Sequence, residues 1–156
     1  MISNGKFYES QFEEATIELL REAHWQYAFG DDIHRKYTDP LIEEDLRNFL
    51  TVQYKDKNLT TSEMDSIVAN LRNTGGQNDY YALRNAFLLY RDGYDFAYSD
   101  GRDNPFRLEY IDFEHPDHNI FRCVNQFVME QGRENRRPDI LLFINGIPVC
   151  IIELKN

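Results

Sequence analysis

The last nineteen residues, Pro138 to Asn156, constrain the fold of this chain more than any other stretch. They contain two apolar runs, residues 140–144 and 149–152, on either side of Asn145-Gly146. This dipeptide between apolar runs is the strongest short-range signal for a β-hairpin. Runs that are apolar on both faces are typical of buried strands. We therefore predict a hairpin with two buried strands at this end of the chain.

Charged residues stand at the outer ends of both predicted strands. Asp139 precedes the first strand, Glu153 follows the second, and Lys155 lies two residues further on. Desolvating carboxylates beside buried strands is costly unless another group compensates. A metal ion would compensate two carboxylates, so we predict a metal site here. The alternative is a surface ion pair at a strand end, which would contribute little to stability.

The turn decides whether the two carboxylates share one face of the hairpin, because side chains alternate along a strand. A strict two-residue turn would pair Asp139 with Ile152 and leave Glu153 on the opposite face. A three-residue loop, with Gly146 left-handed in a bulge, would pair Asp139 with Ile151 and bring both carboxylates to one face. The metal-site hypothesis therefore predicts a bulge or a three-residue loop at Gly146.

Length and composition are typical of a globular protein. A chain of 156 residues is expected to form one domain with a substantial core. Its hydrophobic content of 42% and aromatic content of 14% argue against disorder. The polar start and the lack of a long apolar stretch predict a cytoplasmic protein without a secretory signal or membrane span. The two cysteines, Cys123 and Cys150, fit no zinc or disulfide framework and are expected to be buried free thiols.

The formal net charge of −10 limits the ways in which this chain could act on nucleic acid. Proteins that bind nucleic acid unaided are usually basic. The charge therefore argues against a free-standing DNA-binding domain. It does not exclude a module whose DNA affinity comes from other domains or subunits.

Hydrophobic spacing and capping signals predict a mainly helical region over residues 1–93. The first helix is expected over residues 8–24, followed by a short strand over 25–29. Three more helices are expected to begin at Asp39-Pro40, at the capping box formed by Thr60 and Glu63, and at Asp79. Gly75-Gly76 and Gly93 are expected to end the last two.

Residues 94–156 predict a mostly antiparallel sheet. Strands are expected over residues 94–98, 108–113 and 120–129, followed by a polar loop over 130–137 and the closing hairpin. The predicted fold class is therefore α+β, with helices available to cover one sheet. We expect a single domain over residues 1–156, with a helical part (1–93) and a sheet part (94–156).

The terminal motif resembles that of a known nuclease family. Pro138-Asp139, thirteen intervening residues and Glu153-Leu154-Lys155 resemble the PD-(D/E)xK nuclease signature. The flanking residues resemble the amino-terminal nuclease region of the restriction (R) subunits of Type I restriction-modification enzymes. The matching runs are Arg137–Ile140, Phe143–Pro148, Ile152–Asn156 and, upstream, Ile111–Phe113, Asn119 and Val124–Phe127. The resemblance covers most of the chain and is strongest from Ile111 onward.

The resemblance implies a Mg²⁺-dependent endonuclease that cleaves double-stranded DNA, built on a restriction-endonuclease-like core. Asp139, Glu153 and the carbonyl of Leu154 would bind Mg²⁺, and Lys155 would orient or deprotonate the attacking water. The expected catalytic residues are thus the two carboxylates and the lysine. Arg136 and Arg137 would contact DNA phosphates, although an ordinary solvated loop is an equal alternative for them.

The resemblance also implies a larger subunit with other parts and partners. A helicase-like motor would follow the nuclease module, and methylation and specificity subunits would join the complex. This chain contains no Gly-rich phosphate loop ending in Gly-Lys-Ser/Thr. ATP would therefore be required only by the motor. Family members continue with another helix and strand that support the site, so we expect the chain to be truncated at its C-terminal end and incomplete as an isolated nuclease.

Two other functions remain open from the sequence. One is a non-catalytic docking module that assembles with methylation and specificity subunits, suggested by the acidic charge and by Tyr80, Tyr81 and Tyr90. The other is a repair or recombination nuclease of the same superfamily, which the residues around Asn145-Gly146 make the less favoured one.

Several further residues are weaker candidates for chemistry. Glu13, in the first helix, is a candidate to point its carboxylate at the metal. The favoured alternative is that it lies on a solvated face of that helix. His115 and His118 have ligand-like spacing, but the turn around them offers no further expected donor. For Asn119 and Gln126 the sequence assigns no chemistry.

Overall fold

The structure is a computed structural model that describes residues 9–75 and 78–155. It contains two compact units: one is Met1–Ile42 with Ile120–Asn156, and the other is Glu43–Asn119. Helices and sheets both contribute, which confirms the predicted α+β fold class. The predictions that involve residues 8, 76 and 156 concern positions outside the described residues.

The first unit is built on a four-stranded mixed sheet. Its strand order is β1-β4-β7-β8, with β1 parallel to β4 and the remaining neighbours antiparallel. The helix α1 packs against β1. These elements are α1 (Glu9–Glu22), β1 (Gln26–Phe29), β4 (Phe121–Asn125), β7 (Ile140–Ile144) and β8 (Ile147–Ile152).

A hydrophobic core cluster of this unit lies on one face of the sheet. Val124 of β4 and Leu141 and Phe143 of β7 are buried together with Ile42 and Phe127. Leu141 and Phe143 are two residues apart and therefore point to the same face. Because Leu141 and Phe143 are buried on this face, the strand β7 is held in place, and so is the start of the strand, next to Asp139.

The expectation that both hairpin strands are buried is correct for β7 and wrong for β8. Val149 and Ile151 are 43% and 56% exposed, and Cys150 is also exposed. The reason is that β8 is the last strand in the order of the described sheet. Cys123 is buried as expected, and both thiols are free.

The second unit combines three helices with a two-stranded antiparallel sheet. Its buried side chains include Leu46, Leu50, Ile67 and Val68, and Tyr110, whose hydroxyl donates to the Ile67 carbonyl at 2.7 Å. Its elements are α2 (Glu43–Gln53), α3 (Thr61–Arg72), α4 (Asp79–Asp92), β2 (Tyr94–Phe96) and β3 (Phe106–Leu108).

The helix starts show which local signals were decisive. The capping box of Thr60 and Glu63 is confirmed. Asp39, however, does not start a helix, because its carboxylate accepts the Leu41 N–H at 3.1 Å in a turn, and α2 begins only at Glu43. Asn78, rather than Asp79, caps α4. A side chain that can cap a helix can equally stabilise a turn.

The predicted helix ends have a mixed outcome. Gly93 ends α4 as predicted, with a φ of 62°. The helix α3 ends at Arg72, before the predicted Gly75-Gly76.

Two strand predictions are wrong in their bounds. Residues 109–113 are not a strand, and the predicted strand over 120–129 divides into β4 and a separate short strand. The polar loop predicted over 130–137 contains part of a small hairpin, formed by β5 (Met129–Gln131) and β6 (Glu134–Arg136). Gln126 interrupts the longer run because its backbone is left-handed, with a φ of 57°.

None of the helices in the described parts of the chain has the length and apolar character of a membrane span.

Candidate functional site

The terminal hairpin turns through two residues. Ile144 pairs with Ile147, and the residues between them, Asn145 and Gly146, have φ values of 51° and 75°. Positive φ at both central residues is the type I′ turn that suits the twist of a hairpin. The expectation of a three-residue loop or bulge at Gly146 is therefore wrong.

The bulge lies in the strand instead of the turn. Phe143 pairs with Pro148 and Leu142 pairs with Cys150, so Val149 is an extra residue in β8. Beyond the bulge, Ile140 pairs with Ile152.

This shift decides where the two carboxylates lie. Continued by one residue, this register would set Asp139 opposite Glu153, and residues directly opposite in antiparallel strands share a face. The bulge that the metal-site hypothesis requires thus lies at Val149, three residues further along the chain than expected.

A hydrogen bond joins the two strand ends at this point. The backbone N–H of Leu154 donates to Oδ2 of Asp139 at 2.7 Å. Asp139 and Leu154 are half-buried, whereas Glu153 and Lys155 are exposed. A carboxylate can accept several hydrogen bonds or ligand bonds, so this bond orients Asp139 and still leaves it able to bind a cation. Two carboxylates facing each other suit a hard divalent cation such as Mg²⁺.

The hairpin turn is anchored to the rest of its unit. Asn145 is fully buried; its N–H donates to the Ile120 carbonyl at 2.8 Å, and its Oδ1 accepts the Ile120 N–H at 2.7 Å. The Gly146 carbonyl accepts the Ile42 N–H at 2.9 Å. The end of the ribbon opposite to the carboxylates is therefore held firmly.

A first-helix carboxylate reaches the neighbouring strand end. Oε1 of Glu13 accepts hydrogen bonds from Nδ2 of Asn125 at 2.9 Å and from Nε2 of Gln126 at 3.4 Å. The backbone N–H of Gln126 in turn donates to the carbonyl of Asp139 at 3.3 Å. Glu13 is thus connected to Asp139 through one intervening residue, and it does not lie on a merely solvated helix face.

The backbone around Gln126 is closely packed. A Cβ atom added to Gly30 would lie 2.3 Å from the carbonyl oxygen of Gln126, so only glycine fits there. Tyr27 also contributes, because its hydroxyl donates to Oδ1 of Asn125 at 2.8 Å. Burial and the nearby charge of Glu13 raise the pKa of Tyr27. These contacts fix the end of β4 against the start of β7.

The two arginines predicted to contact DNA are exposed. Arg136 belongs to β6 and its guanidinium lies 3.6 Å from the carboxylate of Glu134 on the same strand. Arg137 follows that strand. A surface ion pair of this kind contributes little to stability, so both side chains are available to a partner.

In the second unit, the structure brings together residues that the sequence left apart. Oδ2 of Asp112 lies 3.0 Å from Nδ1 of His118 and 3.7 Å from Nδ1 of His115. Asn119 organises this loop, since its amide accepts from the Asp112 N–H at 2.9 Å and donates to the Asp112 carbonyl at 2.8 Å. The turn around the two histidines therefore does offer a further donor, contrary to expectation.

Sequence reasoning missed several residues of these sites. The register shift had one sequence signal, because Pro148 lacks an N–H and proline within a sheet is confined to edges and bulges. The spacing Asp112-x₂-His115-x₂-His118 was a second signal. Asn125 and Tyr27 carried none, since only the parallel pairing of β1 with β4 brings them together.

The fold and the site define an α+β protein whose bulged terminal hairpin carries one carboxylate at each strand end, Asp139 and Glu153. The chain belongs to a family of restriction-enzyme domains: the profile of the family described as "Type I restriction enzyme R protein N terminus" matches residues 6–156.

Curated relatives agree with this membership. In an alignment of 158 positions that covers 95% of the chain, it is 28% identical to the Type I restriction enzyme HindI endonuclease subunit of Haemophilus influenzae. It is also 28% identical over 152 residues, 92% of its length, to a Methanocaldococcus jannaschii protein named as the type I restriction enzyme MjaIXP endonuclease subunit. The chain spans only 15% of the length of each of these relatives.

Proposed function

We propose that this chain is the nuclease module of a Type I restriction enzyme R subunit, and that it cleaves double-stranded DNA with Mg²⁺ bound by Asp139 and Glu153. The resemblance of its terminal motif to the PD-(D/E)xK signature and the endonuclease names of its relatives support this function. The chain covers only 15% of the length of those relatives. We therefore also propose, for the complete subunit, the cleavage reaction and its partners. The partners would be DNA and the methylation and specificity subunits.

The observation that carries the proposal is the register of the terminal hairpin. The bulge at Val149 pairs Ile140 with Ile152, a register that would set Asp139 opposite Glu153, and the Leu154 N–H donates to the Asp139 carboxylate at 2.7 Å. Without the bulge, Glu153 would lie on the other face of the ribbon. A bulge that re-aims a side chain is common beside active sites.

The donor set fits a hard cation. Asp139 and Glu153 would hold Mg²⁺, and the Leu154 carbonyl, between Glu153 and Lys155 in the chain, would be a further ligand. When bound, the ion would neutralise charge on the phosphate and lower the pKa of a bound water.

The protein side chains would supply the remaining chemistry. Lys155 is exposed and two residues beyond Glu153, where extended backbone would place it on the same face. There its ammonium group would orient the attacking water, or its neutral amine would accept a proton from that water. Asp139, fixed by the Leu154 N–H, would keep its orientation during the reaction. Arg136 and Arg137 would contact phosphates and set the position of the duplex.

The test is plasmid cleavage by the complete R subunit, assembled with its methylation and specificity subunits in the presence of ATP and Mg²⁺. Asp139→Asn, Glu153→Gln and Lys155→Ala should each reduce the cleavage rate by about two orders of magnitude or more, the usual cost of removing one preorganised electrostatic group. The matched control is Glu109→Gln, an exposed residue of the other unit. Normal cleavage by Glu153→Gln, with the complex intact, would contradict the proposal.

A second function is favoured by one surface feature. The helix α4 exposes Tyr80, Leu83 and Phe87 at 69%, 73% and 57%, and these positions follow helical spacing along one side. Such a row would suit a docking module that assembles with other subunits. The two functions predict different effects on cleavage. Docking alone would be favoured if Leu83→Ser prevented assembly of the complex while Asp139→Asn, Glu153→Gln and Lys155→Ala left the cleavage rate unchanged.

A further inference from the structure

The loop between β3 and β4 holds a cluster that the proposed nuclease chemistry does not use. Asp112 is buried, and both imidazoles of His115 and His118 are about half exposed, at 61% and 51% of the side chain. All three residues belong to the second unit. One donor atom from each residue lies within 4.8 Å of the other two.

The Asp112 carboxylate is held in place before any ligand arrives. Its Oδ1 accepts the backbone N–H groups of Glu114 at 3.1 Å and His115 at 2.8 Å, and its Oδ2 accepts Nε2 of Gln53 at 3.0 Å. The His115 N–H, with His118 and Gln53, lowers the pKa of Asp112. These bonds therefore fix the orientation of the carboxylate, with Oδ2 lying 3.0 Å from Nδ1 of His118 and 3.7 Å from Nδ1 of His115.

Hydrogen bonding alone explains only one of these imidazoles. Nδ1 of His118 is within hydrogen-bonding distance of Oδ2, whereas Nδ1 of His115 at 3.7 Å is too far. Yet the two rings stack almost in parallel, with centroids 4.9 Å apart and an interplanar angle of 18°. Both rings thus lie on the same side of one fixed anion.

We propose that Asp112, His115 and His118 form a binding site for a divalent transition-metal cation, with Zn²⁺ as the ion to test first. Two imidazole nitrogens with one carboxylate oxygen favour such ions over Mg²⁺. Zinc bonds of about 2.0–2.2 Å in tetrahedral geometry separate neighbouring ligand atoms by about 3.3–3.5 Å. The observed separations of 3.0 and 3.7 Å from Oδ2 lie on either side of that value, so small ring movements suffice.

Gln53 would be a positioning residue for this ion. It contacts Oδ2 of Asp112 and so orients the ligand without touching the metal. Removing such an outer partner typically weakens metal binding about 10–100-fold. The site lies on residues other than those of the candidate nuclease centre, and its existence does not depend on the proposed function.

The test is calorimetric titration of Zn²⁺ into the whole chain, in a Cys150→Ser background because an exposed thiol also binds zinc. We expect one ion per chain at the site, and at least about tenfold weaker binding in His115→Ala, His118→Ala and Gln53→Ala. The chain has four histidines, and His24→Ala and His34→Ala, both exposed, are the matched controls and should bind normally. Bound Co²⁺ should give a visible absorption band that the first two variants lose.

His115→Ala keeps the test decisive, because its ring is the more exposed and its removal should leave the circular dichroism of the chain unchanged. Absence of Zn²⁺ binding at micromolar concentrations would overturn the proposal. Binding unaffected by His115→Ala and His118→Ala would do so as well, and so would an equal loss in the two control variants. Glu153→Gln should leave unchanged the Zn²⁺ binding that His115→Ala and His118→Ala weaken; its loss in Glu153→Gln would place that ion at the hairpin and contradict the assignment.

Discussion

At the scale of single residues, the candidate site depends on how a few polar groups are held. Asp139 accepts the Leu154 N–H, and its own carbonyl accepts the Gln126 N–H. Gln126 adopts a left-handed conformation that is uncommon for a non-glycine residue. Such conformations persist where surrounding contacts fix them, and they are concentrated at functional sites.

Glu13 should matter for cleavage through this network. We expect Glu13→Gln in the assembled R subunit to reduce the cleavage rate about 10–100-fold, because its charge-assisted bonds to Asn125 and Gln126 support the Asp139 backbone. Plasmid cleavage measures the effect.

The same helix offers the control for this prediction. Glu14→Gln changes the next residue, which is exposed and has the same charge. Equal cleavage by Glu13→Gln and Glu14→Gln would assign Glu13 to the solvated helix face after all.

At the scale of elements, the bulge in β8 is the feature that aligns the site. Val149 is left unpaired in the ladder, and the register Ile140–Ile152 that follows it would set Asp139 opposite Glu153. A length change in β8 therefore tests the geometry without altering either carboxylate.

Deletion and insertion at this position should have opposite consequences. Deleting Val149 leaves every other pair in place, so Mn²⁺ binding by the chain should be retained. Inserting one alanine after Val149 should shift Glu153 by one position, to the face opposite from Asp139, and abolish the binding. Calorimetry measures Mn²⁺ binding by both variants. The observed register would be contradicted if the insertion variant still bound Mn²⁺, or if the deletion variant alone lost the binding.

The start of α3 makes a separate prediction on stability. Glu63 is buried, closes the capping box with Thr60 and forms two short bonds to Arg102, at 2.6 and 2.7 Å. Chiefly through Arg102, the pKa of Glu63 is held far below its ordinary value of 4.5. A depressed pKa in the folded state contributes stability above the unfolded pKa and loses it as the pH falls.

We therefore expect Glu63→Gln to lower the melting temperature at pH 7 and to make the chain less sensitive to acid than the wild type below about pH 4.5. Thermal unfolding followed by circular dichroism from pH 7 to pH 3 measures this. The control is Glu44→Gln on α2, an exposed carboxylate. If the melting temperatures of both variants depended on pH as that of the wild type does, the Glu63–Arg102 pair would not be the source of the stability that is lost in acid.

Local signals predicted those elements whose residues interact with near neighbours. The capping box at Thr60, the end of α4 at Gly93 and the turn at Asn145-Gly146 were all predictable, because each depends on a few adjacent residues. The division of residues 120–129 was not, because the left-handed Gln126 is fixed by contacts with Gly30 and Asp139, which are distant in sequence.

The candidate site shows the same contrast. Asp139, Glu153 and Lys155 were identified from spacing and resemblance, and the need for a bulge followed from alternation. The position of the bulge at Val149 could not be predicted, because it depends on how β7 pairs with β8. The bonds of Glu13 could not be predicted, because they depend on where α1 lies against the sheet.

At the scale of the whole molecule, charge and coverage limit what this chain would do alone. A net charge of −10 disfavours unaided binding to DNA, and the chain covers 15% of the length of the two relatives that match it almost throughout. Both facts agree with a module whose DNA affinity comes from the remainder of a larger assembly. The property that the chain itself should retain is the binding of a divalent cation.

The most direct test of the central claim is calorimetric titration of Mn²⁺, as a stronger-binding substitute for Mg²⁺, into the chain at neutral pH. We predict a saturable site that is lost in Asp139→Asn and in Glu153→Gln, and that is retained in Glu109→Gln and in His115→Ala. Wild-type binding by both carboxylate variants would contradict it, because the facing pair at the end of the hairpin would then hold no metal.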